Sequence, residues 1–485
     1  MPDASVSNAV INRILDESEA AFEAVGPPSL SLAIGAERAI VAERAWGMSD
    51  VDQHVATTPA TAYLLASVTK PITATAIALL AINHGVSLHD PISSLLGYQL
   101  RQVCTGPEPT LADILGHRAG IGRYCRFFYD DEPARPAAEF SVTAEDHIVV
   151  TTPPGEYYEY SNIGYGVLDE VIAVVSGMST GEFLQREIFD VLEMHSASIG
   201  PRYTGTAAAH AERYGTNGTP YPTYDVEHRG ASLAWATTSD VVRFGLAHCV
   251  GGTFGDLEEI RNQQVPASTG AQVGHSWRIS SPGGIRLLRH SGGMGGVSAM
   301  ILVCPTPGFV VATAVNESYS PLAQQAAYSA MSRLLSDATG HDVDALPATE
   351  EPASTTSVSV QPGHWGGESV VGGNHHAIEV QITSAEEVLV GRGSDLRSAI
   401  PRPLDGHDLR LAVDWSLTGI DERATNGTCL DLVQTADGYA GRIAITDLAG
   451  AGLCKAGTDG GQREWREASY VTYPIVLKCL IREVS

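Results

Sequence analysis

The hydrophobic pattern of this 485-residue chain changes character at residues 341–360. Before that segment, helix-like and strand-like stretches are mixed; after it, short alternating stretches recur between turns, as in a small β-barrel or β-sandwich. The segment is rich in Pro, Ser, Thr and acidic residues, which is typical of a linker. The sequence therefore predicts an α+β domain at 1–340, mainly helical within about 70–225, a linker, and a C-terminal all-β domain at 361–485.

Several elements of the first domain follow from residue spacing. Residues 5–24 carry apolar side chains at helical spacing, and two prolines follow them. Alternation over 30–47 predicts a hairpin, and two further strands are predicted on either side of 305–308. The clearest helix is predicted over 67–84, where a proline lies in the first turn and Gly85 suits the position just after the end.

The C-terminal domain shows alternating segments that predict antiparallel strands. They are 378–382, 387–390, 409–413, 431–434, 441–445 and 471–477. His375 and His376 are adjacent at the edge of a predicted strand, where successive side chains point apart. Both are therefore interpreted as surface residues rather than as joint metal ligands.

Charge and composition exclude several classes of partner. The formal net charge is −26, which argues against nucleic acid and against anionic membrane surfaces. No run approaches 18 consecutive apolar residues, so no transmembrane helix is predicted. The N-terminus carries no secretory pattern, so we expect a cytoplasmic protein, with prior removal of a leader as the alternative. The seven cysteines form no Cys-x-x-Cys pair, which indicates buried inert thiols rather than a disulfide framework or zinc site. No metal and no cofactor is predicted.

Ser67 and Lys70 form the first candidate catalytic pair. The chain has only three lysines among its 30 basic residues, and one of them follows Ser67 by three positions at the predicted helix start. That spacing places both side chains on one helical face. A serine hydroxyl needs a nearby base, and a lysine in a dry pocket can serve as one, whereas arginine cannot. The alternative is an N-capping serine followed by a surface lysine.

Tyr160 and Asn162 form the second candidate element. They lie in an aromatic-rich stretch, Tyr157-Tyr158-Glu159-Tyr160-Ser161-Asn162. A tyrosine beside an ammonium group can act as a base in its phenolate form, and an asparagine can orient a substrate amide. A turn with Ser161 or Asn162 capping the following helix explains the same residues without chemistry.

His290, Gly292 and Gly293 form the third candidate element. They stand in His290-Ser291-Gly292-Gly293-Met294 between two predicted strands, where glycines would allow a substrate backbone to approach closely. A glycine-rich turn or bulge is the structural alternative. The run lacks the Lys-Ser/Thr of a phosphate-binding loop, so nucleotide binding is not expected.

Taken together and in this order, the three elements resemble the penicillin-recognising serine hydrolases, which comprise class C β-lactamases, DD-peptidases, D-aminopeptidases and related esterases. The family pattern is Ser-x-x-Lys, Tyr-x-Asn and Lys/His-x-Gly. Supporting similarity occurs in the segments 115–121, 188–194 and 230–240, and the resemblance covers roughly residues 10–335. It implies an antiparallel sheet flanked by helices, packed against a helical region, with the active site in the groove between them.

The resemblance also implies residue roles. Ser67 would form the acyl-enzyme, and Lys70 with Tyr160 would move its proton. Asn162 would hold the substrate amide, and the oxyanion hole would be the N–H groups of Ser67 and Gly293.

His290 departs from the lysine that most β-lactamases carry at this point, and histidine is largely neutral near pH 7. This favours a D-aminopeptidase-like peptidase or amidase acting on small peptides or D-amino-acid derivatives. An esterase or acyltransferase of the same fold is the alternative, and a non-catalytic binding protein is the second. The expected partner is a small-molecule or short peptide substrate. The oligomeric state stays open, with a homodimer as one option.

Overall fold

The structure, a computed structural model, describes residues 6–122, 126–130, 144, 147–216, 218–267, 272–346, 361–371, 374–384, 387–392, 395–404, 407–413, 428–435, 438–447 and 469–481. The chain divides into two compact units. Unit one comprises Met1–Val86, Phe128–Pro133 and Leu168–Thr349. Unit two comprises Ser87–Phe127, Ala134–Val167 and Glu350–Ser485.

The α-helices of the described chain are α1 (Asn8–Val25), α2 (Thr69–His84), α3 (Ile92–Leu96), α4 (Leu111–Leu115), α5 (Ile163–Ser176), α6 (Thr180–Leu184), α7 (Arg229–Ser232), α8 (Thr238–Ala247), α9 (Glu258–Gln263) and α10 (Leu322–Thr339). The 3₁₀ turns are Ala66–Val68 and Pro282–Gly284, and Gln185–Phe189 is a π-helical turn.

The strands of the first 349 residues are β1 (Ser29–Ala36), β2 (Ala39–Asp50), β3 (Val55–Ala56), β4 (Thr61–Leu64), β5 (Arg101–Gln102), β6 (Phe128–Tyr129), β7 (Val149–Val150), β8 (Ser198–Ile199), β9 (Ala209–His210), β10 (Tyr224–Asp225), β11 (Ala234–Ala236), β12 (Arg278–Ser280), β13 (Leu287–Met294), β14 (Val297–Cys304) and β15 (Phe309–Val315). The later strands are β16 (Gly363–Val371), β17 (Asn374–Ile382), β18 (Val388–Arg392), β19 (Asp395–Leu404), β20 (His407–Val413), β21 (Thr428–Thr435), β22 (Gly438–Asp447) and β23 (Ser469–Ile481).

Unit one is built on a seven-stranded antiparallel sheet in the order β12-β13-β14-β15-β1-β2-β3. Its central strands β1, β14 and β15 are buried along their whole length, which shows that both faces of the sheet are covered. Helices α1 and α10 supply one cover, because their apolar side chains form a single cluster with those of β1, β14 and β15. Burial of these apolar side chains is the main stabilising contribution at this face.

Helix α8 covers the other face of the sheet. A side-chain carbon at Gly35 would lie 2.7 Å from a methyl of Val242, and one at Gly245 would lie 2.5 Å from a methyl of Val310. The helix therefore packs directly on the strand backbones, which requires glycine at these contacts. The hydroxyls of Ser31 and Thr238, 2.9 Å apart, add a polar contact between α8 and β1.

Unit two contains a closed barrel in which β16 to β23 follow one another in chain order. Strands β16 and β23 pair to close it. The buried interior positions alternate with outward positions, as period-2 strands require. The interior is filled by Trp365, Ile378, Val380, Val388, Val390, Leu411, Leu430, Leu432, Tyr439, Ile443, Ile475 and Leu477.

The predicted fold class is confirmed: an α+β domain with an antiparallel sheet and helices, followed by an all-β domain, which is a barrel rather than a sandwich. The predicted helix at 5–24 is α1, which ends at Gly26 in the left-handed region (φ 70°) just before the prolines. The predicted helix at 67–84 is the 3₁₀ turn at Ala66–Val68 followed by α2, and Gly85 ends it with φ 68°. The domain boundaries at residues 340 and 360 stay a prediction, because each compact unit is built from three separate stretches of the chain.

The interpretation of both adjacent histidines as surface residues is wrong for His376. His375 is exposed, with its ring nitrogen 2.9 Å from the Glu368 carboxylate. His376 is only 8% exposed, because strand alternation places it on the same side of β17 as Ile378 and Val380.

The stretch Ala66–His84 is long and apolar enough to cross a membrane by length and composition alone, but 78% of its most apolar window is buried inside the structure. It is therefore the core helix of unit one. Cys249 and Cys304 are buried free thiols, and burial raises the pKa of both. Among the described residues, no group of three or more His, Cys, Asp or Glu side chains could hold a metal ion.

Candidate active site

Ser67 and Lys70 meet at the junction of the 3₁₀ turn and α2. The Lys70 Nζ lies 3.1 Å from the Ser67 hydroxyl oxygen, and it donates a hydrogen bond of 3.0 Å to the Ala231 carbonyl on α7. Lys70 is fully buried. The surface-lysine alternative is therefore wrong for this residue, and the pair has the contact that a nucleophile and its base require.

The turn that carries Ser67 is strained and held by Thr69. Ala66 has φ 47°, a left-handed conformation that a non-glycine residue adopts at a cost of about 1–3 kcal/mol. The Thr69 hydroxyl donates to the Ala66 carbonyl at 2.6 Å and accepts from the Ala234 amide at 3.1 Å. Leu65 adds a backbone bond of 2.8 Å to Ala234. This buried threonine, inside the Ser-x-x-Lys motif, was not singled out from the sequence.

Strand β13 runs against the same turn and brings the third motif beside Ser67. A side-chain carbon at Gly292 would stand 2.2 Å from the Leu65 carbonyl oxygen and 3.2 Å from the Ser67 amide nitrogen. At Gly293 it would stand 2.9 Å from the Tyr319 ring. Gly292 therefore allows close approach of the strand to the Ser67 turn. Both glycines belong to a regular strand rather than to a turn, and the predicted approach of a substrate backbone stays a prediction.

His290 and His228 are two buried histidines near Lys70. Burial, with a smaller effect of the Lys70 charge, lowers the pKa of each to about 3, so both are neutral at physiological pH. The His290 Nδ1–H donates to the Ser291 carbonyl at 2.8 Å, which leaves Nε2 as an acceptor. His228 precedes α7 and is fully buried. No sequence signal marked His228, because an isolated histidine before a short helix has no distinctive spacing.

Asp169 supports the α7 segment that holds Lys70. Its carboxylate accepts hydrogen bonds from the Gly230 amide at 2.9 Å and from the Thr180 hydroxyl at 3.0 Å. The neighbouring Gly230 carbonyl accepts from the Thr73 hydroxyl on α2 at 2.7 Å. Burial raises the pKa of the Asp169 carboxyl to about 7, and the Gly230 hydrogen bond opposes that shift. Sequence reasoning missed Asp169 because its partner Gly230 is 61 residues away.

Tyr160 and Asn162 belong to unit two, in the loop that leads into α5. The Ser161 amide donates to His117 Nδ1 at 3.2 Å, and the Tyr160 and His117 rings lie 4.5 Å apart between centroids. The Ser161 hydroxyl accepts from the Gly164 amide at 3.1 Å, as a helix cap does. The Asn162 side-chain oxygen is buried and finds no hydrogen-bond partner among the described residues.

The structure thus brings five of the seven predicted residues together in unit one, namely Ser67, Lys70, His290, Gly292 and Gly293. Tyr160 and Asn162 adjoin one another in unit two. Their participation with Ser67 stays a prediction from the motif pattern.

Comparison with known proteins identifies the family. The sequence profile of the Beta-lactamase family matches residues 15–335. Penicillin-binding protein 4 of Amycolatopsis lactamdurans is 25% identical over 295 residues, which is 56% of this chain and 77% of that protein.

Two solved structures share the fold. SurE in complex with D-Leu superposes with a TM-score of 0.58 at 19% identity, covering 90% of this chain and 98% of that one. D-amino acid amidase from Ochrobactrum anthropi SV3, complexed with D-phenylalanine, gives a TM-score of 0.53 at 21% identity, covering 69% and 98%. The family match spans the Ser67, Tyr160 and His290 motifs. The chain therefore belongs to the Beta-lactamase family and is a serine hydrolase.

Proposed function

We propose that this protein cleaves an amide or ester bond through an acyl-enzyme on Ser67, with small D-amino-acid amides and short peptides as the leading substrates. The observation that carries the proposal is the 3.1 Å contact between the Ser67 hydroxyl and the fully buried Lys70 amine. A general base has to lie within hydrogen-bond reach of the proton that it takes, and this one does.

The chemistry then follows in two stages. Lys70, as a neutral amine, takes the Ser67 proton as the hydroxyl oxygen attacks the substrate carbonyl carbon, and it passes that proton to the amine or alcohol that leaves. Water then attacks the resulting ester and gives up a proton to Lys70, which returns it to the Ser67 oxygen as the acid product leaves. The Ala231 carbonyl holds the Lys70 nitrogen in place throughout. The family resemblance assigns Tyr160 to the same proton transfers, Asn162 to the substrate amide, and the N–H groups of Ser67 and Gly293 to the oxyanion.

The state of His290 supports the choice of substrate class. Burial and Lys70 lower the pKa of His290 to about 3, so this position offers a neutral ring instead of a permanent cation. A substrate with a free carboxylate there would lose the ion pair that a lysine provides. Amides, esters and peptides without that carboxylate are favoured. The fold likeness to a D-amino acid amidase, and to SurE with bound D-Leu, supports D-configured amino-acid derivatives.

A second candidate is an esterase or acyltransferase that uses the same acyl-enzyme. The neutral His290 favours esters as much as amides, and the acyl group on Ser67 can pass to an alcohol or amine instead of water. Product analysis with added methanol or glycine amide separates the two. Transfer products that exceed the free acid would favour the acyltransferase.

The test is a substrate panel of matched D- and L-aminoacyl amides, simple esters and a chromogenic cephalosporin, run with the wild type and Ser67→Ala. We expect turnover of D-aminoacyl amides or esters, little of the cephalosporin, and none by the variant. Turnover that survives in Ser67→Ala would refute the acyl-enzyme. Cephalosporin as the best substrate would refute the substrate class.

A further inference from the structure

Arg442, on barrel strand β22, is a buried arginine with three polar partners in unit two. Its guanidinium donates to the Asp431 carboxylate at 3.0 Å, to the Thr151 hydroxyl at 3.3 Å and to the Glu159 carboxylate. The arginine is 2% exposed and Asp431 is 1% exposed. A guanidinium has five N–H groups in a fixed planar fork, so it can serve three acceptors at once.

The side chains of Arg442 and Asp431 lie on the outer face of the barrel. Arg442 and Asp431 are directly opposite each other on β22 and β21. Their neighbours Leu430, Leu432 and Ile443 are fully buried in the barrel interior. Strand alternation therefore puts the ion pair on the outer wall of the barrel, where Thr151 and Glu159 cover it.

Glu159 immediately precedes Tyr160, so the carboxylate residue that binds Arg442 is joined to the motif by one peptide bond. The Glu159 amide donates to the His117 carbonyl at 2.7 Å, and the Ser161 amide donates to the ring of the same histidine at 3.2 Å. Main-chain and side-chain contacts thus hold Glu159 from both sides.

The guanidinium also lies against Gly122. A side-chain carbon at that glycine would stand 2.3–2.6 Å from three atoms of the Arg442 guanidinium. The Gly122 carbonyl accepts the Ser161 hydroxyl at 3.1 Å. The arginine therefore touches two segments that contact the Tyr160–Asn162 stretch.

We propose that Arg442 is a positioning residue of the C-terminal barrel that fixes Glu159 and Gly122 and thereby holds Tyr160 and Asn162 in their reactive places. The proposal rests on the proposed function, since it assigns those two residues to the reaction. Under this proposal the barrel contributes to catalysis through Arg442, and no contact between the barrel and the substrate is required.

Arginine is required here for a geometric reason. A lysine would retain the charge, but its single nitrogen cannot reach three separated acceptors, and its slimmer head would leave space against Gly122. We expect Arg442→Lys to remain folded, because Asp431 keeps a cation, and to loosen the hold on Glu159.

The experiment compares Arg442→Lys and Glu159→Gln with two exposed barrel controls, Arg397→Lys and Glu368→Gln. Glu159→Gln leaves the Arg442–Asp431 pair intact, so it tests the link to the motif without leaving a barrel charge unpaired. Two quantities are measured for each variant: hydrogen exchange of the peptide covering residues 156–165, and kcat and KM for the best substrate of the panel.

We expect exchange of the Glu159 and Ser161 amides to become about tenfold faster in both test variants while the barrel strands keep their protection. We also expect kcat to fall about tenfold or more, with KM changed less, because a displaced reacting group lowers the rate of the chemical step. Both controls should match the wild type in every measurement.

Further measurements separate the possible failures. In a Tyr160→Phe background, Glu159→Gln should lose most of its effect on kcat, whereas general damage would cost the same factor in both backgrounds. Unchanged exchange and unchanged kcat in both test variants would overturn the positioning role while leaving the hydrolase intact. A wild type that turns over nothing would instead overturn the proposed function, and the exchange result would still decide whether Arg442 holds the segment.

Discussion

The Ser67–Lys70 turn of unit one and the Tyr160–Asn162 loop of unit two are fixed by different forces. Thr69 and Lys70 hold the turn through hydrogen bonds to main-chain carbonyls and amides. The loop is held on one side by a charged pair that starts 283 residues away, at Arg442. One half of the motif set is therefore fixed by main-chain groups of α7 and β11, and the other half has a contact to a charged side chain of the C-terminal barrel.

Among the variants that keep Ser67, the largest effect on rate is expected from Lys70→Arg. Arginine keeps the charge but cannot accept a proton, so kcat should fall about 10³-fold, within the range of general-base catalysis. Lys478→Arg is the matched control, because Lys478 is exposed on β23 and should tolerate the change. Steady-state kinetics on the best substrate check the prediction. A rate within a few-fold of the wild type for Lys70→Arg would show that Lys70 acts only as a charge.

Arg442→Met should cause the largest loss of stability. Removal of the guanidinium breaks its buried ion pair with Asp431, and breaking such a pair by removing one partner costs about 3–5 kcal/mol. The exposed pair of Arg397 and Asp395 should contribute only about 0–1 kcal/mol, so Arg397→Met is the control. Urea unfolding of both variants gives the two values. Equal losses would mean that burial does not distinguish the two arginines.

Acid should destabilise unit one. His228, His248 and His290 have pKa values lowered by burial from 6.5 to about 3, so below pH 6.5 the unfolded chain binds protons that the folded chain does not. Asp169 opposes this, because its pKa is raised to about 7 and it binds its proton in the folded state first.

Burial also raises the pKa values of the Asp240 and Glu317 carboxyls, by less than it lowers those of the three histidines. We therefore expect the free energy of unfolding to fall as the pH drops from 6 to 4.5. Urea unfolding at several pH values measures the slope. A stability that rises as the pH falls through this range would contradict the assignment of buried neutral histidines.

Thr69→Val should have the smallest effect on rate. The variant loses both hydroxyl contacts that hold the left-handed Ala66, and we expect kcat to fall about tenfold. Thr75→Val on the same helix is the control. It also loses two hydroxyl contacts, to Pro71 and His248, but Thr75 lies about two helical turns beyond Ser67. It should lose stability and keep kcat. The same loss of kcat in both variants would show that helix stability, not the turn, sets the rate.

Elements with strong local signals were predictable from the sequence. Periodicity and capping residues predicted helix α1, the hairpin of β1 and β2, and helix α2 with Gly85 at its end. Six of the eight barrel strands were predicted as alternating segments. The remaining two, β16 and β19, gave no such signal, because β16 contains Gly366 and Gly367 and β19 contains two prolines and two arginines.

The seven predicted site residues came from three short motifs, and five of them do lie together in unit one. The supporting residues could not be predicted. They act through partners that are distant in sequence or through burial, and neither property leaves a local sequence pattern. These residues are Thr69, Asp169, His228 and Arg442. His376 shows the same limit, since only the closed barrel decides which face of β17 is buried.

Covalent labelling of Ser67 tests the account most directly. The wild type, Ser67→Ala and Lys70→Arg would each be treated with a fluorophosphonate, and the adduct would be located by mass spectrometry of peptides. We predict one adduct, on Ser67 in the wild type, absent from Ser67→Ala and formed far more slowly in Lys70→Arg. A wild type that forms no adduct under any condition, or one that carries it on another residue, would contradict the assignment of Ser67 as the nucleophile.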